Sequence, residues 1–152
     1  MPASVDIIIV NFNGRVLLEK CLSSIAKMNY SQFNVYVIDN GSSDGSVEFV
    51  KTHFPQFNFV SLGANLGFSR ANNYGIKLCR GEFVFFLNND VIVKPDTLEK
   101  LVEGLRDPEV AIVVPKVYDF EGLVNSAGGV CDYYGFAFNK GIGERDREEY
   151  NH

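Results

Sequence analysis

Five short apolar runs, spaced by stretches of helical periodicity, restrict this chain to a narrow set of architectures. Ile7-Ile8-Ile9-Val10 is a continuous apolar run, as expected of a strand covered on both faces. Between Arg15 and Met28, Leu18, Cys21, Leu22 and Ile25 recur at helical spacing. Asn34 to Ile38 predicts a second strand, and Ser43 or Asp44 is placed to cap a short helix carrying Val47, Phe49, Val50 and Phe54. Asn58 to Leu62 predicts a third strand, followed by a helix from Ser69 to Cys79. Glu82 to Leu87 predicts a fourth, and Pro95 stands where a helix bearing Leu98, Leu101, Val102 and Leu105 can begin. Val110 to Val114 predicts a fifth strand. The alternation implies an α/β fold: a mostly parallel sheet with right-handed crossovers and helices on both faces. After Pro115 the periodicity fades into a Gly- and aromatic-rich stretch and a charged tail.

The 152 residues suit about one domain, and a 46% hydrophobic content suits a buried core. A formal net charge of −5 argues against a nucleic-acid partner. It also means that a diphosphate ligand would be expected to arrive with a divalent cation. Cys21, Cys79 and Cys131 have no CxxC spacing, and the first two fall in helical patterns, so small buried thiols in a reducing compartment are expected. The sequence from Met1 shows no signal-peptide pattern and no apolar stretch near the roughly 20 residues of a membrane span. A cytoplasmic location is expected, with peripheral association at the inner membrane face left open.

In an open α/β sheet, ligands gather at the carboxyl ends of the strands. Asn11 and Asn13 follow the first apolar run, Asp39-Asn40-Gly41-Ser42-Ser43-Asp44 the second, Asn65-Leu66-Gly67 the third and Asn88-Asn89-Asp90 the fourth. Each cluster alone is also what loops and caps are made of. Asp90 is too early to cap the helix after Pro95, and a carboxylate there suits a hard cation. There is no G-x-G-x-x-G after the first strand and no P-loop pattern, which disfavours a dinucleotide-dependent oxidoreductase and a P-loop enzyme. The carboxylate at the second strand suits a base N–H, and the one at the fourth suits Mg²⁺ or Mn²⁺ completed by substrate phosphates.

These segments resemble family 2 glycosyltransferases of GT-A type. Residues 7–14 resemble the opening V(S/P)xYN strand, 39–46 the DDGSxDGS turn, 65–76 the NxGxxxARNxGI segment and 81–90 the GEYxxFLDxD strand. The resemblance covers about residues 5–115. It implies a nucleotide-sugar-binding domain over residues 1–115, with 116–152 the incomplete start of an acceptor-binding region. It further implies that Asp39 bonds a uracil or thymine ring, that Asn11 and Asn13 lie beside base and ribose, and that Asp90 holds the metal at the donor diphosphate. The remaining nucleotide-side candidates are Asn40, Asn65, Arg70 and Asn89, with Asn88 as a second metal-side group.

Three departures stand out. Asn88 replaces the first Asp of the DxD, Asn40 the second Asp of the turn, and Asn72 the usual arginine, with Arg70 two residues earlier. The combination looks most like the rhamnosyltransferase-like branch, which implies a deoxythymidine-diphosphate sugar and a glycan or lipid-linked acceptor. No ED-type motif for a catalytic base follows. Asp132, Glu144 and Asp146 are the available carboxylates, and Tyr133, Tyr134 and Phe136 are candidates for an acceptor-side wall. His53 and His152 receive no role. The leading expectation is an inverting, metal-dependent glycosyltransferase whose base lies in sequence absent from this chain or in an atypical place. The alternatives are a donor-binding module without turnover and, more distantly, a nucleotidyltransferase.

Overall fold

A computed structural model of the chain describes residues 2–131, 133–134 and 136–150. The chain forms two compact units, one up to Glu99 and one from Lys100. In the first, strands β1 (Val5–Asn11), β2 (Phe33–Asp39), β3 (Asn58–Ser61) and β4 (Phe83–Asn88) make one sheet in the order β3-β2-β1-β4. Every pairing in it is parallel. Helices α1 (Arg15–Ile25), α2 (Ser46–His53) and α3 (Phe68–Ile76) make the crossovers. The expected parallel α/β architecture is the one found.

β1 is central, and Ile7, Ile8 and Ile9 are each 0% exposed, so both of its faces are covered. This is why the run is continuously apolar rather than alternating. On one face Ile8 and Ile38 form a buried cluster with Ala71 of α3, and Val10, Tyr36 and Val60 pack around them. Gly75 makes that approach: a Cβ there would come within 2.8 Å of Ile8 Cγ2. α1 buries Leu18, Cys21, Leu22 and Ile25, its periodic positions. The Cys21 thiol reaches the Asn88 carbonyl at 3.7 Å, which sets α1 beside the end of β4.

At the amino end of the sheet sits a carboxylate that the sequence reading passed over. Asp6 is fully buried and accepts from Asn34 Nδ2 at 2.8 Å, Arg80 N at 2.6 Å and Gly81 N at 2.7 Å. Burial pushes its pKa up, but the Asn34, Gly81 and Arg80 hydrogen bonds and the Arg80 charge outweigh burial and hold it below the ordinary value.

Several boundaries differ from expectation. α1 stops at Ile25 rather than Met28, and the chain closes with tighter bonds from Lys27 N to Ser24 O and Met28 N to Ile25 O. α3 ends at Ile76, short of Cys79. The cap of α2 is Gly45, at φ +82°, and not Ser43 or Asp44. Asp44 acts from one residue earlier, accepting from Ser46 N at 3.1 Å and from Arg15 N, at the start of α1, at 2.9 Å. Helix α4 (Thr97–Gly104) begins two residues after Pro95, where Thr97 Oγ1 accepts from Lys94 N at 3.0 Å.

The expected strand over 110–114 does not form. A strand exists through its ladder, and no described residue pairs with this segment. Ile112 is 81% exposed and Val114 65% exposed, so the apolar run is not a covered one. The second unit instead holds two small antiparallel pairs, β5 (Val117–Tyr118) with β6 (Val124–Ser126) and β7 (Gly129–Cys131) with β8 (Ala137–Asn139). Val124 and Tyr150 are buried within it. No helix among the described residues is long and apolar enough to cross a membrane. The three cysteines are free thiols: Cys21 is buried, Cys79 half-buried and Cys131 exposed. Burial, helped by the Asp90 charge, pushes the Cys21 thiol up to about 12, so it stays protonated at neutral pH.

Candidate functional site

The strand order reverses at β1, since β2 and β3 extend to one side of it and β4 lies on the other. The loops after β1 and β4 therefore separate at the carboxyl edge and leave a crevice. A cleft of about 370 Å³ opens there. Asn40 and Asn65 line it on the β2–β3 side, Asn88, Asn89 and Asp90 on the β4 side, with Val10, Phe12 and Phe68 between them. Five of the residues singled out by sequence, from three separate loops, thus share one cavity.

Beneath the cleft runs a polar network. Asn11 is fully buried at the end of β1 and uses both ends of its amide. Its Nδ2 donates to Asp39 Oδ1 at 3.3 Å and to Ser42 Oγ at 3.1 Å, and its Oδ1 accepts from Asn89 Nδ2 at 2.9 Å. Asp39 is also fully buried, and its Oδ2 accepts from Ser42 N at 3.0 Å. Neither residue lines the cavity; they tie the loops after β1, β2 and β4 together. Buried polar groups require such partners, and no buried side-chain polar atom among the described residues lacks one.

Asn13 takes a left-handed backbone conformation at φ +50°. It is held by N to Ser42 Oγ at 2.9 Å and by Ser43 N to its own Oδ1 at 2.8 Å. Ser42 is thus a hub that sequence reading missed, because a serine in a Gly-Ser turn looks like any loop residue. Asp44 is a second fixed point. Burial would raise its pKa, but the Ser46 hydroxyl and the Arg15 and Ser46 backbone N–H groups together hold it below the ordinary value.

Asp90 is exposed, and its carboxylate accepts no hydrogen bond among the described residues. Arg70 lies exposed on the first turn of α3, and the structure does not place it on the cleft wall. Asn72, in the position of the usual arginine, donates to the Phe68 carbonyl at 3.1 Å and is part of the helix. Phe12 and Phe68, 48% and 61% exposed, are the apolar walls that the sequence reading did not select. The available signal was an aromatic residue directly after a strand and directly after a loop glycine.

In the second unit the two described candidate carboxylates are engaged. Asp146 accepts from Lys116 Nζ at 2.8 Å and from Tyr118 OH at 2.6 Å. Glu144 accepts from Tyr150 OH at 2.6 Å and pairs with Arg147 at 3.1 Å. Tyr133, Tyr134 and Phe136 are exposed. Asp132 and His152 lie outside the described residues, and His53 stacks on Phe49.

Comparison with known proteins bears on this geometry. The model of a family described as Glycosyl transferase family 2 matches residues 6–142. The glycosyltransferase GlyG of Streptococcus pneumoniae serotype 4 is 25% identical over 124 residues, 80% of this chain and 41% of that protein. An N-acetylglucosaminyltransferase of Rhizobium meliloti (strain 1021) is 34% identical over 120 residues, 75% of this chain and 28% of that protein. The chain therefore spans less than half the length of either relative. Among solved structures, the mannosyltransferase PcManGT from Pyrobaculum calidifontis, in complex with GDP-Man and Mn2+, is similar at a TM-score of 0.66 and 27% identity, over 72% of this chain and 34% of that one. TarS residues 1–349 from S. aureus share the fold at a TM-score of 0.63 and 22% identity, over 74% of this chain and 38% of that one.

Proposed function

The chain belongs to glycosyl transferase family 2, and we propose that its cleft holds a nucleotide-diphosphate sugar through a divalent cation, for transfer of the sugar to a glycan or lipid-linked acceptor. The observation that carries this is the convergence of Asn40, Asn65, Asn88, Asn89 and Asp90 on one cavity at the strand-order reversal.

The residues present fit a dication that brings ligands with it. No group of three or more His, Cys, Asp or Glu able to cage a metal occurs among the described residues. One carboxylate with no other hydrogen bond, Asp90, faces the cleft beside two amides. Mg²⁺ and Mn²⁺ accept such a site when phosphate oxygens and water complete the octahedron. Asp90 would hold the ion, with the Asn88 amide oxygen beside it. When bound, the ion offsets the negative charge that grows on the leaving nucleoside diphosphate. PcManGT, at 27% identity, is a neighbour solved in complex with GDP-Man and Mn2+.

This chain's own residues do the rest. Asp39 would accept from a uracil or thymine N–H through lone pairs left over by Asn11 and Ser42, which requires the turn at Ser42 to open because Asp39 is fully buried here. Asn13 and Asn65 would flank the nucleoside. Asn89 is fixed by Asn11, and it holds the turn that aims Asp90. Arg70 enters as a reserve cation for the diphosphate, reaching in from outside the cleft wall. The donor favoured by the sequence is a dTDP- or UDP-sugar, dTDP-rhamnose among them. The relatives' names, N-acetylglucosaminyltransferase and mannosyltransferase, add UDP-GlcNAc and GDP-mannose to what must be tested.

A second reading is a donor-binding module without turnover. It is favoured by Glu144 and Asp146, the two described candidate bases, each already committed to hydrogen-bond partners. Calorimetry with UDP, dTDP and GDP, with and without Mn²⁺, tests the common part of both readings. Binding of one nucleotide that strengthens at least tenfold with metal is expected. No binding of any nucleotide under either condition overturns the donor site. Sugar-nucleotide turnover with an added acceptor then separates enzyme from module.

A further inference from the structure

We propose that Asn40 and Asn65 form an amide latch that sets Phe68 as a rigid aromatic wall for the nucleoside part of the ligand. Asn40 is thereby a positioning residue for affinity that does not depend on the metal. The inference rests on the donor-site reading and names what its β3 side does.

Asn40 is 3% exposed and spends both ends of its amide on the segment before α3. Its Nδ2 donates to Asn65 Oδ1 at 2.9 Å, and its Oδ1 accepts from Leu66 N at 2.8 Å. Asn65 Oδ1 also accepts from Gly67 N at 2.9 Å. The two loops are in backbone contact as well: a Cβ on Gly41, at φ +86°, would come within 2.8 Å of Ala64 backbone atoms. Phe68 follows at once as the first residue of α3, 61% exposed and facing the cleft. A large aromatic that is exposed yet mounted on a segment fixed by three hydrogen bonds is a preformed stacking surface. The ring shares the cleft with Asp90 but carries no ligand atom for a cation, so its contribution to binding does not run through the metal.

The chemistry demands an amide at 40 and not at 65. A carboxylate at 40 accepts from Leu66 N but has no proton for Asn65 Oδ1. Relief requires the Asn65 amide to turn over, and Gly67 N then loses its acceptor. Asn65, by contrast, contributes only its oxygen to these bonds, so a carboxylate at 65 serves equally.

Two measurements decide the matter. The first needs no ligand: amide hydrogen exchange of Leu66 and Gly67. Asn40→Asp is expected to raise exchange of at least one of them tenfold or more, while Asn65→Asp leaves both as in the parent protein. Equal effects from the two substitutions overturn the latch. The second is nucleotide affinity, without and with Mn²⁺. Phe68→Ala is expected to weaken binding by about ten- to a hundred-fold in both conditions, and Phe68→Tyr to retain it. Asn40→Ala, which breaks the latch without adding charge to the cleft, is expected to cost nothing further when added to Phe68→Ala, since it acts through the ring. Parent-level affinity in Phe68→Ala, or additive losses in the double variant, overturns the proposal. Should either Asn40 variant fail to fold, the exposed Phe68 variants still decide it. Absence of nucleotide binding in the parent protein would instead refute the donor site, with the exchange result standing apart.

Discussion

Asn11 shows how much of the candidate site hangs on one side chain. Its amide donates toward β2 and accepts from the turn after β4, bonds that a carboxylate can satisfy on one side only. Asn11→Asp would also set two buried carboxyl groups against each other. We expect a loss of about 2 kcal/mol in urea unfolding, larger than for Asn13→Asp on the exposed side of the same network. Asp90 makes the opposite prediction. Its carboxylate accepts no hydrogen bond among the described residues, so Asp90→Asn should leave stability unchanged and remove the metal-dependent part of nucleotide binding. Asp107→Asn, altering only a local turn in which Asp107 accepts from Glu109 N at 2.9 Å, should change neither. Asp39→Ala should weaken free UDP or dTDP as much as the sugar nucleotide; a loss confined to the sugar nucleotide would remove Asp39 from base recognition. These polar residues were legible because each follows directly on an apolar run. Asp6 was not legible. Its three donors come from positions 34, 80 and 81, and only the parallel sheet brings them to one carboxylate.

Elements were easiest to read where burial on two faces leaves a strong pattern, as in β1 with α1 and α3. They were hardest where the pattern depends on a partner. The run Val110 to Val114 has strand composition, yet composition cannot supply a ladder, and the segment is exposed. The carboxyl ends of α1 and α3 fell short of the periodic pattern because the chain closes there in tighter bonds, such as Met28 N to Ile25 O and Leu78 N to Gly75 O. The start of α2 moved because capping is divided between neighbours. Asp44 serves the starts of both α1 and α2 while Gly45 takes the cap position. The α3–β1 contact predicts that Gly75→Ala destabilises, despite alanine's better helix propensity, since the new methyl must displace Ile8. A net cost of about 1 kcal/mol in a melting experiment is expected. Asp6 fastens the amino ends of β1 and β2 to the turn before β4, and its acidity follows. Because its folded pKa is depressed below the ordinary value of roughly 3.9, its contribution is full above that value and is lost as pH falls through the folded one. Asp6→Asn should therefore melt well below the parent protein at pH 7, the two curves converging toward pH 2.

At the scale of the whole molecule, the first unit carries every cleft-lining residue, and the second carries short hairpins with large exposed aromatics such as Tyr133 and Phe138. The sequence pattern conveyed the parallel sheet and its carboxyl-edge clusters, because strand periodicity and loop chemistry are local. The cleft's apolar walls, and the engagement of Asp146 by Lys116, arise from contacts between distant positions. With 152 residues the protein suits residue-resolved magnetic resonance, and paramagnetic broadening by Mn²⁺ in the presence of the bound nucleotide tests the central claim most directly. We expect amide signals of residues 88–90 to disappear first, those of Asn40 and Asn65 to weaken, and those of Asp6 and Gly81 at the opposite sheet edge to persist. Broadening centred elsewhere, or equal at the two edges, would contradict a donor site at the carboxyl ends of β1, β2 and β4.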